Sequence, residues 1–201
     1  MTSRISARRR WALGLAGGLV VAAALLWSFR PWQVTPSSGP VGGNIELPAT
    51  TGTFSLSALQ DDQVAVLFFG YSWCPDVCPI SFAVVRQARL SLSPQLRRRV
   101  VPVMISVDPE RDTLERLEEY LAAFGDDMVG ATGSAAELAD IGERYGVVWR
   151  KVETPDSQME YAVDHTASLY LVKPDGTILE RVLHSPTPGP LQAALDRALA
   201  E

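Results

Sequence analysis

The sequence predicts an α/β domain carried behind a single membrane-spanning helix. Three observations support this. An uncharged run of nineteen residues, 11–29, follows a strongly basic start. Two nearly continuous apolar runs, residues 64–70 and 100–107, have the composition of strands buried on both faces. Segments of helical periodicity alternate with those runs, as in layered α/β domains.

Residues 1–10 hold Arg4, Arg8, Arg9 and Arg10 and no acidic residue. At about 1.5 Å per residue, the run 11–29 nearly crosses a hydrocarbon core of about 30 Å. Positive charge ahead of the span places the N-terminus in the cytoplasm and the rest outside. The expected location is a bacterial-type inner membrane, crossed once, with the C-terminal domain in the periplasm. Trp11, Trp27 and Trp32 flank the run, where interfacial aromatics belong. A cleaved signal peptide is the alternative, with Ala22-Ala23-Ala24 as the small-residue site. Leu25, Leu26 and Trp27 extend the apolar run and favour an uncleaved anchor. A twin-arginine signal fits the flanking residues poorly. No cysteine follows the span, which excludes a lipoprotein anchor. Residues 30–42, rich in Pro, Ser and Gly, form a linker, and the domain occupies 43–201.

Within the domain, alternation on either side of Thr51-Gly52 predicts an N-terminal hairpin. The strand at 64–70 runs into a loop holding Cys74 and Cys78, and Pro79 opens a helix at a position where proline is tolerated. The stripe Ile80, Phe82, Ala83, Val84, Val85, Ala88 and Leu92 is helical. A second buried strand at 100–107 is broken only by Pro102. Asp112-Thr113-Leu114-Glu115 suggests a capping-box start to a helix burying Leu114, Leu117, Leu121 and Phe124. Ser134 caps another helix, with Ala135, Leu138, Ile141 and Tyr145 inward and Gly146 ending it. Val147-Val148-Trp149 begins a strand, residues 154–160 are loop, and His165 opens a strand at 167–172. Pro174-Asp175-Gly176 turns into a strand at 178–183, and a helix at 190–199 closes the chain.

The 201 residues are 47% hydrophobic, enough for a core without disulfide support. A net charge of −5 gives no support to nucleic-acid binding. Arg97, Arg98 and Arg99 form a run that reads as a solvated helix end.

Cys74 and Cys78 are the only cysteines. At a helix N-terminus the dipole and the N–H groups favour thiolate, the form that binds metal and attacks disulfides. Three residues separate the pair, unlike the two of a general redox catalyst, and a four-thiolate zinc site is impossible. A disulfide closing so short a loop would stabilise little. Two thiolates suit a soft ion, with imidazole as a third donor. The chain offers only His165 and His184, and spacing alone does not choose between them. Asp164, beside His165, is a candidate outer hydrogen-bond acceptor for the imidazole. Asp76, between the cysteines, is a cap, an outer-shell group or a docking charge. Tyr71 and Trp73 are expected to wall the site. Met104 reads as core, and Met128 and Met159 as loop methionines. No arginine and threonine arrangement of the peroxidase kind surrounds Cys74.

Three segments carry a resemblance to the Sco/SenC family of copper-binding proteins: Gly70-Tyr71-Ser72-Trp73-Cys74-Pro75-Asp76-Val77-Cys78-Pro79, Ser106-Val107-Asp108-Pro109-Glu110-Arg111-Asp112-Thr113 and Val163-Asp164-His165-Thr166-Ala167. Leu114 stands where the family commonly has proline, and Trp73 where phenylalanine is frequent. Neither departure removes a donor atom. The resemblance implies a membrane-tethered, thioredoxin-like fold of the peroxiredoxin-like variant. It implies copper, as Cu(I) or Cu(II), on Cys74, Cys78 and His165, with no ligand role for His184. It implies delivery to the binuclear copper site of cytochrome c oxidase subunit II. The alternative it implies is a thiol–disulfide role for Cys74 and Cys78 in reducing that site's cysteines. Expected partners are the oxidase subunit, a periplasmic thiol reductant and another copper chaperone as donor.

Overall fold

The computed structural model of the chain describes residues 39–155 and 159–200. The expected anchor at 11–29, the basic segment and most of the linker lie outside the described residues. Among the described residues no helix is long and apolar enough to cross a membrane.

The organising element is β3 (Val64–Gly70), whose seven residues are all buried. It lies inside a seven-stranded sheet ordered β2-β1-β5-β4-β3-β8-β9. The hairpin β1 (Glu46–Ala49) and β2 (Gly52–Ser55) forms where the Thr51-Gly52 turn signal places it. β4 (Val100–Ser106) runs parallel to β3 in a register from Val64↔Val100 to Gly70↔Ser106. β8 (Leu169–Val172) pairs antiparallel with the other edge of β3, and β9 (Ile178–Val182) follows it. Pro102 is tolerated in β4 because β5 (Val129–Ala131) pairs only with Val103, Met104 and Ile105, beyond the proline.

Alternation along β3 sends Phe68 and Phe69 to opposite faces. Phe68 meets Phe82 edge-on at 5.2 Å, on α1 (Val77–Leu90). Phe82 in turn packs on Tyr120 of α3 (Leu114–Ala122) and on Phe124 beyond its end. Phe69 meets Tyr145 of α4 (Ala135–Tyr145) and Tyr170 of β8. Helices therefore cover both faces of the sheet, and α5 (Gly189–Leu199) packs beside α1. Ser134 and Glu137 complete a reciprocal capping box on α4, and Gly146 ends it at φ +64°, in the left-handed region.

Several expectations change. Thr113 caps α3 alone, because Arg116 stands where a capping box needs Glu or Gln. Ala135 is exposed, and Leu114 only partly buried. A short helix, α2 (Pro94–Arg98), follows α1. Its arginine run is not merely solvated. Arg97 donates to the carbonyls of Arg89, Leu90 and Leu92 at the end of α1, and Arg99 to those of Asp62 and Leu199. His165 does not open a strand. It ends β7 (Tyr161–His165), which pairs with β6 (Trp149–Glu153) in a separate two-stranded ribbon.

Candidate metal centre

The cysteine loop leaves the end of β3 in a tight turn, with the Cys74 N–H donating to the Tyr71 carbonyl at 3.2 Å. Asp76 takes the N-cap position of α1, so Cys78 is the second helical residue. Pro79 is the third, where a missing N–H leaves no helical bond broken. Gly70 is required by close approach: a Cβ there would lie 2.8 Å from the Cys78 sulfur and 2.6 Å from the Phe68 ring. Cys78 is fully buried and Cys74 is 9% exposed.

His165 arrives from the ribbon. Its Nε2 lies 3.5 Å from the Cys78 sulfur. Its Nδ1 lies 3.2 Å from the Thr166 carbonyl oxygen, which can only accept. With the ring proton on Nδ1, that carbonyl would be its acceptor and the Nε2 lone pair would face the sulfurs and an ion held between them. Phe68 and Tyr71 hold the ring edge-on, each at 5.8 Å. Cys74, Cys78 and His165 bring one donor atom each within 4.8 Å of one another, and no other cluster of this kind occurs among the described residues. Two sulfurs and one imidazole nitrogen fit a soft ion and suit calcium or magnesium badly.

The two thiols are unequal. Cys74 is drawn down to about 4, chiefly by the hydrogen bond from the Cys78 thiol, with the His165 imidazole and the backbone N–H groups of Asp76 and Cys78 adding to it against burial. Burial, and then the adjacent Cys74 thiolate, push Cys78 upward. One thiolate and one thiol share the loop. In the reduced, metal-free protein, Cys74 should therefore alkylate with iodoacetamide at a rate nearly independent of pH through the neutral range, falling only near pH 4. A rate that climbs through about pH 8.5, as for an ordinary thiol, would refute the assignment.

The other sequence candidates take different places. Asp164 pairs with Arg150 at 2.8 Å, both exposed, and it is the Thr166 carbonyl, not Asp164, that lies beside the imidazole Nδ1. Asp76 contributes its backbone N–H, while its side chain is exposed and makes no cap bond. His184 Nδ1 lies 3.2 Å from Ser81 Oγ and is not part of the cluster. Tyr71 does wall the site, 2% exposed. Trp73 is 43% exposed and lies under the guanidinium groups of Arg111 and Arg116. Met104 and Met128 are core residues.

Asp108 and Asp112, in the stretch between β4 and α3, are both wholly buried. Asp112 accepts from the Ser72 N–H, the Ser72 hydroxyl and the Ser106 hydroxyl, at 2.9, 2.6 and 2.6 Å. It thereby holds the backbone two residues before Cys74. Sequence reasoning missed this, because an Asp ahead of a helix ordinarily caps it.

The chain matches the SCO1/SenC family over residues 34–200. It is 35% identical over 154 residues to the mitochondrial protein SCO1 homolog 1 of Arabidopsis thaliana, covering 71% of this chain and 44% of that one. The chain thus spans less than half the length of that relative. Copper-bound ScoI of Bradyrhizobium japonicum superposes with a TM-score of 0.69 at 34% identity, covering 79% of this chain and 99% of that one. Copper-bound ScoI of Arabidopsis thaliana gives 0.69 at 30%, covering 80% and 98%. The shared architecture is the α/β thioredoxin-like fold.

Proposed function

The chain belongs to the SCO1/SenC family, and from that premise we propose that it carries copper on Cys74, Cys78 and His165 and delivers it to the binuclear copper site of cytochrome c oxidase subunit II. The observation that carries the reading is the convergence of two sulfurs and an imidazole nitrogen within 4.8 Å. The copper-bound relatives of the same fold support it. A site with only three protein donors, one of them Cys74 at 9% exposure, allows transfer by ligand exchange. The ion is cargo here, so moderate enclosure serves better than a closed cage. We propose further that residues 11–29 tether the domain to the membrane, outside the cytoplasm. An oxidising compartment there would close the cysteines into a disulfide with no lone thiolate to offer, so a reductant must act upstream.

One observation favours a second role, reduction of the recipient's own copper-site disulfide. The Cys74 thiolate would attack one sulfur of that disulfide and form a mixed disulfide. Cys78 would then lose its proton and attack Cys74, releasing the reduced recipient. Two electrons and the Cys78 proton pass to the target, whose second sulfur leaves as thiolate or takes a proton from solvent, and the chain is left with a Cys74–Cys78 disulfide. The thiolate–thiol pairing of the two cysteines suits this sequence.

An anaerobic Cu(I) titration of the reduced protein against a competing chelator, beside His165→Ala and beside the oxidised protein, separates the two. The carrier should bind one copper per chain. The variant should lose more than the roughly 10–100-fold that removing an outer hydrogen-bond partner costs. The oxidised form should bind little and recover on reduction. Weak binding throughout, with rapid exchange onto an oxidised dithiol target, would favour the reductant.

A further inference from the structure

We infer that the loop between β4 and α3 sets the position of His165, with Asp108 and Arg111 as positioning residues; the role assigned to them rests on the Cys-Cys-His reading above.

The ribbon that carries His165 belongs to no other sheet: β7 pairs only with β6. Backbone pairing therefore does not determine where His165 stands relative to the cysteines. Side chains do. Asp108 accepts the Tyr161 hydroxyl on one oxygen at 2.7 Å and Arg111 Nε on the other at 2.6 Å. Arg111 Nη1 donates to the Tyr161 carbonyl at 2.9 Å, and its guanidinium lies 3.7 Å from the centre of the Tyr161 ring. Tyr161 is thus held by hydroxyl, ring and carbonyl at once. It is the first residue of β7, and His165 is the last.

Residues 161, 163 and 165 share one face of the strand, because side chains alternate. Tyr161 meets the clamp and Val163 is buried in the core. The Val163 N–H donates to the Tyr71 hydroxyl at 3.2 Å. With the first and middle residues of β7 seated on the body, His165 is directed at Cys78.

The same loop holds the other half of the site. Asp112 grips Ser72 in the cysteine loop. Ser106 joins the two anchors, donating its hydroxyl to Asp112 at 2.6 Å and accepting the Asp108 N–H at 3.1 Å. A continuous hydrogen-bonded path thus runs from the cysteine loop through Asp112, Ser106 and Asp108 to the start of β7. Two buried carboxylates in one loop place the two sulfurs and the imidazole against each other.

The test is a Cu(I) competition titration of the full chain, reduced, with Asp108→Asn and Tyr161→Phe, each alone and each combined with His165→Ala. Tyr161→Phe removes only the hydroxyl and leaves the Asp108–Arg111 pair, so it carries the test if Asp108→Asn fails to fold. Each single change should weaken copper binding by about 10-fold, as loss of an outer partner does. In the His165→Ala background the same change should cost nothing more, because it acts through the imidazole. X-ray absorption of the Cu(I)-loaded Tyr161→Phe protein should show weakened nitrogen scattering with both sulfurs kept. Full affinity in both single variants overturns the inference. So does an equal loss with and without His165, which would mean general loosening of the fold. Failure of His165→Ala itself to weaken binding is a different result, and it would overturn the Cys-Cys-His reading along with this one.

Discussion

Cys78→Ser should lower copper affinity by at least about a hundredfold while leaving the fold in place. A four-ligand structural site in a small domain binds zinc with about 10–16 kcal/mol, or roughly 3 kcal/mol per donor, and 3 kcal/mol corresponds to about two orders of magnitude. A serine hydroxyl is a hard donor that stays protonated, so it does not replace a thiolate toward a soft ion. Cys78 is fully buried with its sulfur 3.5 Å from His165 Nε2, so its loss removes a donor already seated against the imidazole. No nearby side chain in the donor cluster substitutes for it. Serine matches the cysteine closely in size, so packing against Phe68 and Gly70 is kept. Competition titration of the reduced variant reads the loss, and circular dichroism confirms the fold. An affinity equal to wild type would remove Cys78 from the site.

Asp112→Ala is expected to cost the protein about 3–5 kcal/mol, because hydrogen bonds to charged groups are worth about 1.5–3 kcal/mol each and the stranded donors keep their desolvation cost. The carboxylate is wholly buried and takes three donors on its two oxygens. Removing it leaves the Ser72 N–H and two hydroxyls facing one another in the interior. The loss should appear as a lowered urea midpoint at unchanged slope. It should also weaken copper binding, since Ser72 lies two residues from Cys74. Asp112→Asn, which keeps the volume and one acceptor, should fall between. A loss below about 1 kcal/mol for the alanine variant would mean that water takes over the carboxylate's hydrogen bonds.

Some parts of this architecture were legible because the signal is local. β3 is apolar at every position but the last, and burial on both faces writes that pattern directly into composition. The ends of α4 follow from Ser134 and Gly146, each acting within one helical turn. β5 was missed because three residues carry no measurable period. β7 was missed because its five residues are mostly half-exposed and its only strand partner is half-exposed too.

The site divides in the same way. The cysteine pair, its place at a helix start and the choice between two histidines as third donor were all present in the sequence. So were the family segments that point to His165. Asp164 illustrates the limit. It neighbours His165 in sequence, yet strand alternation turns it to the opposite face, where it meets Arg150. Asp108 and Asp112 look like loop and cap residues by local chemistry, and burial makes them the anchors of both ligand-bearing elements.

The sequence by itself determined which atoms could hold a soft ion, because donor chemistry belongs to the residue. Spacing left His165 and His184 open, the family segments pointed to His165, and the tertiary structure shows it beside the sulfurs; only the tertiary structure decided that Asp112 and Asp108 hold the two halves of the site in place. Cys78 and His165 are 87 residues apart in the chain. A 3.5 Å approach across that separation is set by packing between elements that no local pattern encodes.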